Sequence, residues 1–120
     1  MRPIKVRPTV INIPFVDEQG NELLVLYFDR SDENVNNFKN IIPKLEEKIK
    51  EIDENPEFDI DEKEFMTELT DSFLGAGAFE QICSINNSVF TASKYVFQIA
   101  IGIKEEIEEE DKRAVFDKYK

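Results

Sequence analysis

The sequence contains no histidine and no tryptophan, and its single cysteine is Cys83. Without histidine, the chain has no imidazole to act as a general base or as a metal ligand. A lone cysteine forms no internal disulfide, and thiolate-based zinc or iron–sulfur sites need several cysteines. These absences exclude several of the commonest kinds of catalytic and metal site.

Positive charge is also in short supply. The 120 residues hold 15 Lys and Arg against 26 Asp and Glu, which gives a formal net charge of -11. Binding to nucleic acid or to anionic lipid requires patches of Lys and Arg, so neither is an expected partner. The acidity is concentrated between residues 31 and 75, where five basic and fourteen acidic side chains occur.

The sequence has no long apolar run. Its longest apolar stretch, from Tyr95 to Ile103, is much shorter than the roughly 20 residues that cross a bilayer. Arg2, Lys5 and Arg7 give a basic start, but the apolar segment of a signal peptide does not follow them. We therefore expect no membrane partner and a cytoplasmic location.

Two segments near the N-terminus are typical of β-strands. Residues 9–16 and 23–28 are rich in β-branched and aliphatic side chains, and a polar turn containing Gly20 separates them. This pattern predicts a β-hairpin. A single hairpin is only marginally stable, so it should pack against helices or against a strand of another chain.

Helical spacing begins after the hairpin. Ser31 is a suitable N-cap residue. The apolar residues that follow recur at intervals of three and four, which is the pattern of an amphipathic helix: Val35, Phe38, Ile42, Leu45, Ile49 and Ile52. Pro43 interrupts the stripe, so this segment is expected either to kink or to divide into two shorter helices.

Three further helices are predicted. Their expected bounds are Asp59 or Asp61 to Leu74, Ala78 to Ile82, and Asn87 or Ser88 to about Phe116. Gly75 is well placed as the left-handed residue that ends the first of these. The first half of the last helix is apolar nearly all round and is expected in the core, whereas its acidic second half is expected in water.

The sequence thus predicts an α+β fold that is mostly helical. An N-terminal β-hairpin over residues 1–30 is followed by about four helices over residues 31–120, and the whole chain is expected to form a single domain.

One acidic segment opens like a calcium-binding loop. In Asp59-Ile60-Asp61 the first two ligand positions are correct for such a loop. Lys63, Glu64 and Thr70 then stand where the loop needs an oxygen ligand, a glycine and a glutamate. The segment is therefore interpreted as the acidic N-terminus of a helix.

No other motif for catalysis or for a cofactor is complete. Gly75-Ala76-Gly77 supplies two glycines of a dinucleotide-binding loop, but Glu80 stands at the third position and a helix precedes the segment. Cys83 lies in an apolar turn and is interpreted as a packing residue. We expect no catalytic residues, no cofactor, no metal site and a protein that is not an enzyme.

Aromatic side chains at and before the last helix are the candidates for partner binding: Phe79, Phe90, Tyr95 and Phe97. Packing in the core is the commoner role for such residues. A short hairpin and a few helices have little surface with which to cover this face. Two interpretations therefore remain open. The face is either wholly buried in the core or partly exposed, and an exposed part would contact either a second copy of the chain, as in a homo-oligomer, or another protein.

The stretch from Phe73 to Ile82 combines a helix ending in Phe-Leu-Gly-x-Gly, a small residue, and an amphipathic turn that ends in an apolar residue. An acidic helical segment precedes it and a longer helix follows, over roughly Phe58 to Glu110. This arrangement resembles the tail assembly chaperones of tailed phages and prophages of Gram-positive bacteria. The resemblance implies a non-enzymatic protein that holds the tape measure protein soluble and helps recruit tail tube subunits in the bacterial host cytoplasm.

Two alternative functions remain open. Acidic helices can imitate DNA, and Glu46, Glu47 and Glu51 would then bind a basic protein in competition with DNA. The lysines interleaved with these carboxylates are more typical of a solvated helix face. The second alternative is a small structural subunit of a tail or virion.

Overall fold

The computed structural model describes residues 1–54 and 60–118. Within them an antiparallel hairpin is followed by four helices, so the protein is α+β and mostly helical, which confirms the fold class predicted from the sequence. The elements are β1 (Val10–Val16), β2 (Glu22–Asp29), α1 (Asp32–Glu54), α2 (Ile60–Leu74), α3 (Ala78–Asn86) and α4 (Val89–Lys118). The alternative start of the second helix at Asp59 lies outside the described residues.

The turn of the hairpin is organised by Asp17. Its Oδ1 accepts hydrogen bonds from the backbone N–H groups of Gln19 and Asn21, each at 2.9 Å. Gly20 adopts φ +85°, a conformation that glycine reaches without steric cost. The hydrogen bond from the Asn21 backbone is the main cause that lowers the pKa of Asp17, so the carboxylate stays charged at neutral pH.

The hairpin packs on the helices through aromatic rings. The inward residues of β1 and β2 include Ile11, Leu26 and Phe28, all of which are buried. The Phe28 ring lies edge-on to Phe38 of α1 at 5.4 Å and to Phe73 of α2 at 6.4 Å between centroids. Phe38 and Phe73 are themselves 5.1 Å apart. This three-ring cluster joins the hairpin, α1 and α2, and supplies the support that an isolated hairpin lacks.

Helix α1 continues through Pro43. Ser31 caps it, because the Ser31 Oγ accepts a hydrogen bond from the backbone N–H of Asn34 at 3.3 Å. Pro43 is exposed and lies within one helix that extends to Glu54. The hydrogen bond that proline removes therefore lies on the solvent side, where water can replace it. Of the two alternatives that the sequence left open, division into two helices is wrong.

Asn87 and Ser88 connect α3 to α4. Helix α3 extends to Asn86, four residues beyond its predicted end, and Asn87 then adopts a left-handed φ of 52°. The Ser88 Oγ accepts the backbone N–H of Thr91 at 3.1 Å and so caps α4. The prediction that α4 is capped at this point is confirmed.

Helix α4, the longest helix, packs against α1, α2 and α3. Its buried side chains include Ala92, Val96, Ile103 and Ile107. The expectation that its whole first half lies in the core is wrong at Ile101, which is 58% exposed, because the other elements cover only part of the helix circumference. The expectation that its second half lies in water is wrong for Ile107.

Candidate functional site

A groove with a volume of about 320 Å³ lies between helices α1 and α4 and is open to solvent. We call it the α1–α4 groove. It is lined by Ile42, Leu45, Glu46 and Ile49 of α1 and by Phe97, Ala100, Ile101, Lys104, Glu105 and Glu108 of α4.

The groove follows from helical spacing on both sides. On α1, Ile42 and Ile49 are seven residues apart and lie on one face, beside the stripe that enters the core. On α4, Phe97 and Ile101 are one turn apart and also share a face. Ala100 lies between them in sequence, and its small side chain leaves space above the floor.

The side chains that form the floor of the groove are buried, whereas one side chain of its wall is exposed. Leu45 is 2% exposed and Phe97 is 5% exposed, so both are fixed parts of the core. Ile101, one turn after Phe97, is 58% exposed and borders the same space. An aliphatic side chain is thus left half in water beside an apolar floor.

The rim of the groove is acidic. Glu46, Glu105 and Glu108 contribute three carboxylates, against one ammonium group from Lys104. The Lys104 Nζ lies 3.7 Å from the Glu46 Oε1, and both side chains are well exposed. Exposed ion pairs contribute little to stability, so this contact does not seal the groove. The rim favours an occupant that carries Lys or Arg.

The structure places two of the four predicted partner-binding residues in the core. Phe79 is completely buried, and its ring is therefore not available at the surface of this conformation. Phe97 is buried as well, although its ring forms part of the floor of the α1–α4 groove.

The other two predicted residues are half-buried and lie elsewhere on α4. The Lys94 Nζ lies 4.6 Å from the centroid of the Phe90 ring, a cation–π contact. The Tyr95 hydroxyl donates to the Asn86 Oδ1 at 2.7 Å, and its ring is edge-on to Phe15 at 5.9 Å. The four residues do not form one surface, and only Phe97 contributes to the α1–α4 groove.

Tyr95 borders a second, smaller groove of about 250 Å³ between the hairpin, α3 and α4. Its lining consists of Ile13, Pro14, Phe15, Val16, Leu23, Ile85, Tyr95, Gln98 and Ile99. No charged side chain belongs to this lining, so it offers less to distinguish one partner from another than the acidic rim does.

The Gly-x-Gly turn that carries the sequence resemblance is a structural joint. Gly75 and Gly77 adopt φ values of +101° and +83°. The Asp71 carboxylate reaches back from α2, and its Oδ2 and Oδ1 accept the backbone N–H groups of Gly77 and Phe79, both at 3.0 Å. Asp71 therefore caps α3 across the turn. The sequence did not predict this role of Asp71. An Asp six residues before a glycine is only a weak indication of a helix cap.

Metal ligands and the single cysteine can be located among the described residues. Among them, no group of three or more Cys, Asp or Glu side chains is placed to hold a metal ion. Burial is the main cause that raises the pKa of the half-buried Cys83 thiol, which therefore stays protonated at neutral pH. None of the helices in the described part of the chain is long and apolar enough to span a membrane.

Comparison of the sequence with protein-family models and with curated proteins, and of the structure with solved structures, gives no match.

Proposed function

We propose that the protein is a non-enzymatic phage tail assembly chaperone, which binds the tape measure protein and tail tube subunits. The observation that carries this proposal is the α1–α4 groove, where the half-exposed Ile101 stands beside a buried apolar floor. A carrier of a long apolar partner needs such a surface on an otherwise soluble body.

The dimensions of the groove suit one helix of a partner. Along α4 the groove extends from Phe97 to Glu108, which is about 16 Å at the rise of an α-helix. A bound helix presents apolar anchors at positions i, i+4 and i+7, which span about 10 Å. Three successive anchors of the tape measure protein therefore fit along the groove.

The charge of the chain supports the same role. The rim residues Glu46, Glu105 and Glu108 select a partner helix whose apolar stripe is flanked by Lys or Arg. The net charge of -11 disfavours aggregation of a complex that contains much apolar surface.

Ion pairs within the acidic helices weigh against the DNA-mimic alternative. The Lys48 Nζ lies 3.0 Å from the Glu51 Oε2 and 3.1 Å from the Glu62 Oε2, and Lys104 contacts Glu46. These contacts lower the negative potential around carboxylates that a DNA mimic would have to present unpaired.

The test begins with the reading frames beside this gene. A long neighbouring frame that encodes a tape measure protein is co-expressed with this chain, and co-purification is measured. Ile101→Asp places a charge in the groove, and Leu23→Asp, at a side chain of similar exposure on the hairpin (53% against 58%), is the matched control. We expect Ile101→Asp to abolish co-purification and Leu23→Asp to retain it. Equal binding by both variants, or failure of the unmodified protein to bind a well-expressed and soluble tape measure protein, would overturn the proposal.

A further inference from the structure

The first eight residues form an exposed extension, which we call the N-terminal arm (residues 1–8). The arm contains no helix or strand, and all of its residues are exposed. Ile4 and Val6 are 78% and 84% exposed. Two aliphatic side chains so close together in water constitute an apolar surface without a cover in the single chain.

The charge of the arm is opposite to that of the rest of the protein. Arg2, Lys5 and Arg7 are its charged side chains, and it contains no acidic residue. The α1–α4 groove has the complementary composition, with an apolar floor and a rim on which three carboxylates outnumber the single Lys104. The Arg7 Nη2 already donates to the Arg30 carbonyl of its own chain at 3.2 Å. The apolar side chains of the arm, together with Arg2 and Lys5, therefore find their complements in the groove.

The length and the side-chain alternation of the arm also match the groove. In an extended backbone, Ile4 and Val6 lie on one side while Lys5 and Arg7 lie on the other. The Arg7 side chain is held at Arg30 of its own chain. From Arg2 to Val6 an extended chain covers about 14 Å. The groove is about 16 Å long between Phe97 and Glu108.

Two prolines make the edge of the hairpin a poorer site for the arm. Pro3 and Pro8 lack the backbone N–H that a strand donates to its neighbour. A groove lined by side chains imposes no such requirement, and the extended conformation that proline favours suits it.

In the single chain the arm lies outside the groove of that chain, since its residues are all exposed and none of them lines the groove. The backbone N–H of Arg30 donates to the Thr9 carbonyl at 2.9 Å, which holds the end of the arm beside the start of α1. Ile4 is five residues from Thr9 and so lies within about 17 Å of it. Along α1 the groove begins at Ile42, about 15 Å from the first residue of the helix, and Leu45 and Ile49 follow at about 20 and 26 Å. The arm of the same chain therefore reaches at most the near end of the groove.

We infer that the N-terminal arm of one copy binds in the α1–α4 groove of a second copy. Ile4 and Val6 contact the apolar floor, and Lys5 reaches the rim carboxylates Glu105 and Glu108. Reciprocal exchange of two arms gives a homodimer. This inference concerns the same groove as the proposed function but does not depend on it, since it is tested without any tape measure protein.

The test is disulfide crosslinking between chains that each carry one engineered cysteine, with Cys83→Ser in every chain. A chain with Ile4→Cys is mixed with a chain with Glu105→Cys, and mild oxidation is followed by non-reducing electrophoresis. The control mixture replaces the second chain with Glu80→Cys, at an exposed position on α3. We expect a crosslinked dimer from the first mixture and at most a trace from the control mixture.

Sedimentation of the unlabelled protein over a concentration series supplies an independent measurement. Ile4→Asp should raise the dimer dissociation constant about tenfold or more, because it removes a buried aliphatic contact. Added salt should also weaken the dimer, because screening acts on the arm and rim charges. Circular dichroism checks that the variant is folded, as expected for a substitution at so exposed a side chain.

Three outcomes would overturn this inference. The first is a monomer at every concentration. The second is an intramolecular disulfide in a chain that carries both Ile4→Cys and Glu105→Cys, with no crosslink between the mixed chains. The third is a dimer that Ile4→Asp leaves unchanged, since the hairpin or another surface would then hold it together. Each of these results leaves binding of the tape measure protein to be decided by its own experiment.

Discussion

The Lys104 Nζ lies 3.7 Å from the Glu46 Oε1 and joins α4 to α1 across the rim of the groove. Both side chains remain well exposed, so the contact is weak and can open without loss of the fold. The firm contact between the same helices lies below it, where Leu45 and Phe97 are buried. The groove is therefore a surface feature on a fixed core, and the ion pair that crosses its rim is weak.

Asp71 should contribute more to stability than other acidic residues of α2. Asp71→Ala removes the acceptor for the Gly77 and Phe79 backbone N–H groups and should lower the free energy of unfolding by about 2 kcal/mol. Glu68→Ala, at an exposed position three residues earlier, should change it by less than about 0.5 kcal/mol. Urea denaturation of the two variants measures the difference. Equal losses in the free energy of unfolding would show that Asp71 does not cap α3.

Gly77 and Gly102 should respond to alanine in opposite directions. A Cβ atom at either position would meet no atom within 4 Å, so any difference comes from the backbone. Gly77 has φ +83°, and alanine there should cost about 1 kcal/mol or more. Gly102 lies within α4, where alanine should stabilise by about 0.5–1 kcal/mol. Thermal unfolding should place the two variants on either side of the unmodified protein, and the same sign for both would contradict this account.

Thr70 should be a site where a substitution stabilises the protein. It is completely buried, and within the described part of the chain its Oγ1 has no hydrogen-bond partner. Thr70→Val keeps the shape and removes the unsatisfied hydroxyl, so it should raise the free energy of unfolding by about 1 kcal/mol. At the control position, Thr67, the Oγ1 donates to the Lys63 carbonyl at 2.7 Å, and Thr67→Val should bring no such gain. A loss of stability in Thr70→Val would show that the hydroxyl is satisfied in solution.

Local patterns were sufficient to predict the elements of the fold. The predicted elements depend on residues close together in sequence, and the structure contains each of them. They include the apolar runs on either side of Gly20, the stripe from Val35 to Ile52 and the cap at Ser88. Pro43 was harder to interpret, because its effect on a helix depends on whether the lost hydrogen bond faces water or the core.

The groove could not be predicted in the same way, because it depends on which helix packs against which. Phe97 and Ile101 are both apolar and one turn apart, yet only contact with α1 decides that the first is buried and the second open. The same limit applies to Phe79 and Phe97, whose burial the sequence does not predict. Composition shows that aromatic side chains are available, whereas burial depends on tertiary contacts.

The most direct test of the proposed function is site-specific photo-crosslinking inside cells that assemble the tail. A photoreactive amino acid replaces Ile101 in one chain and Leu23 in another, and mass spectrometry identifies the crosslinked protein. The account predicts that the tape measure protein is crosslinked from position 101 and not from position 23. Crosslinking of the tape measure protein from position 23 alone, or from neither position while tails assemble normally, would contradict it.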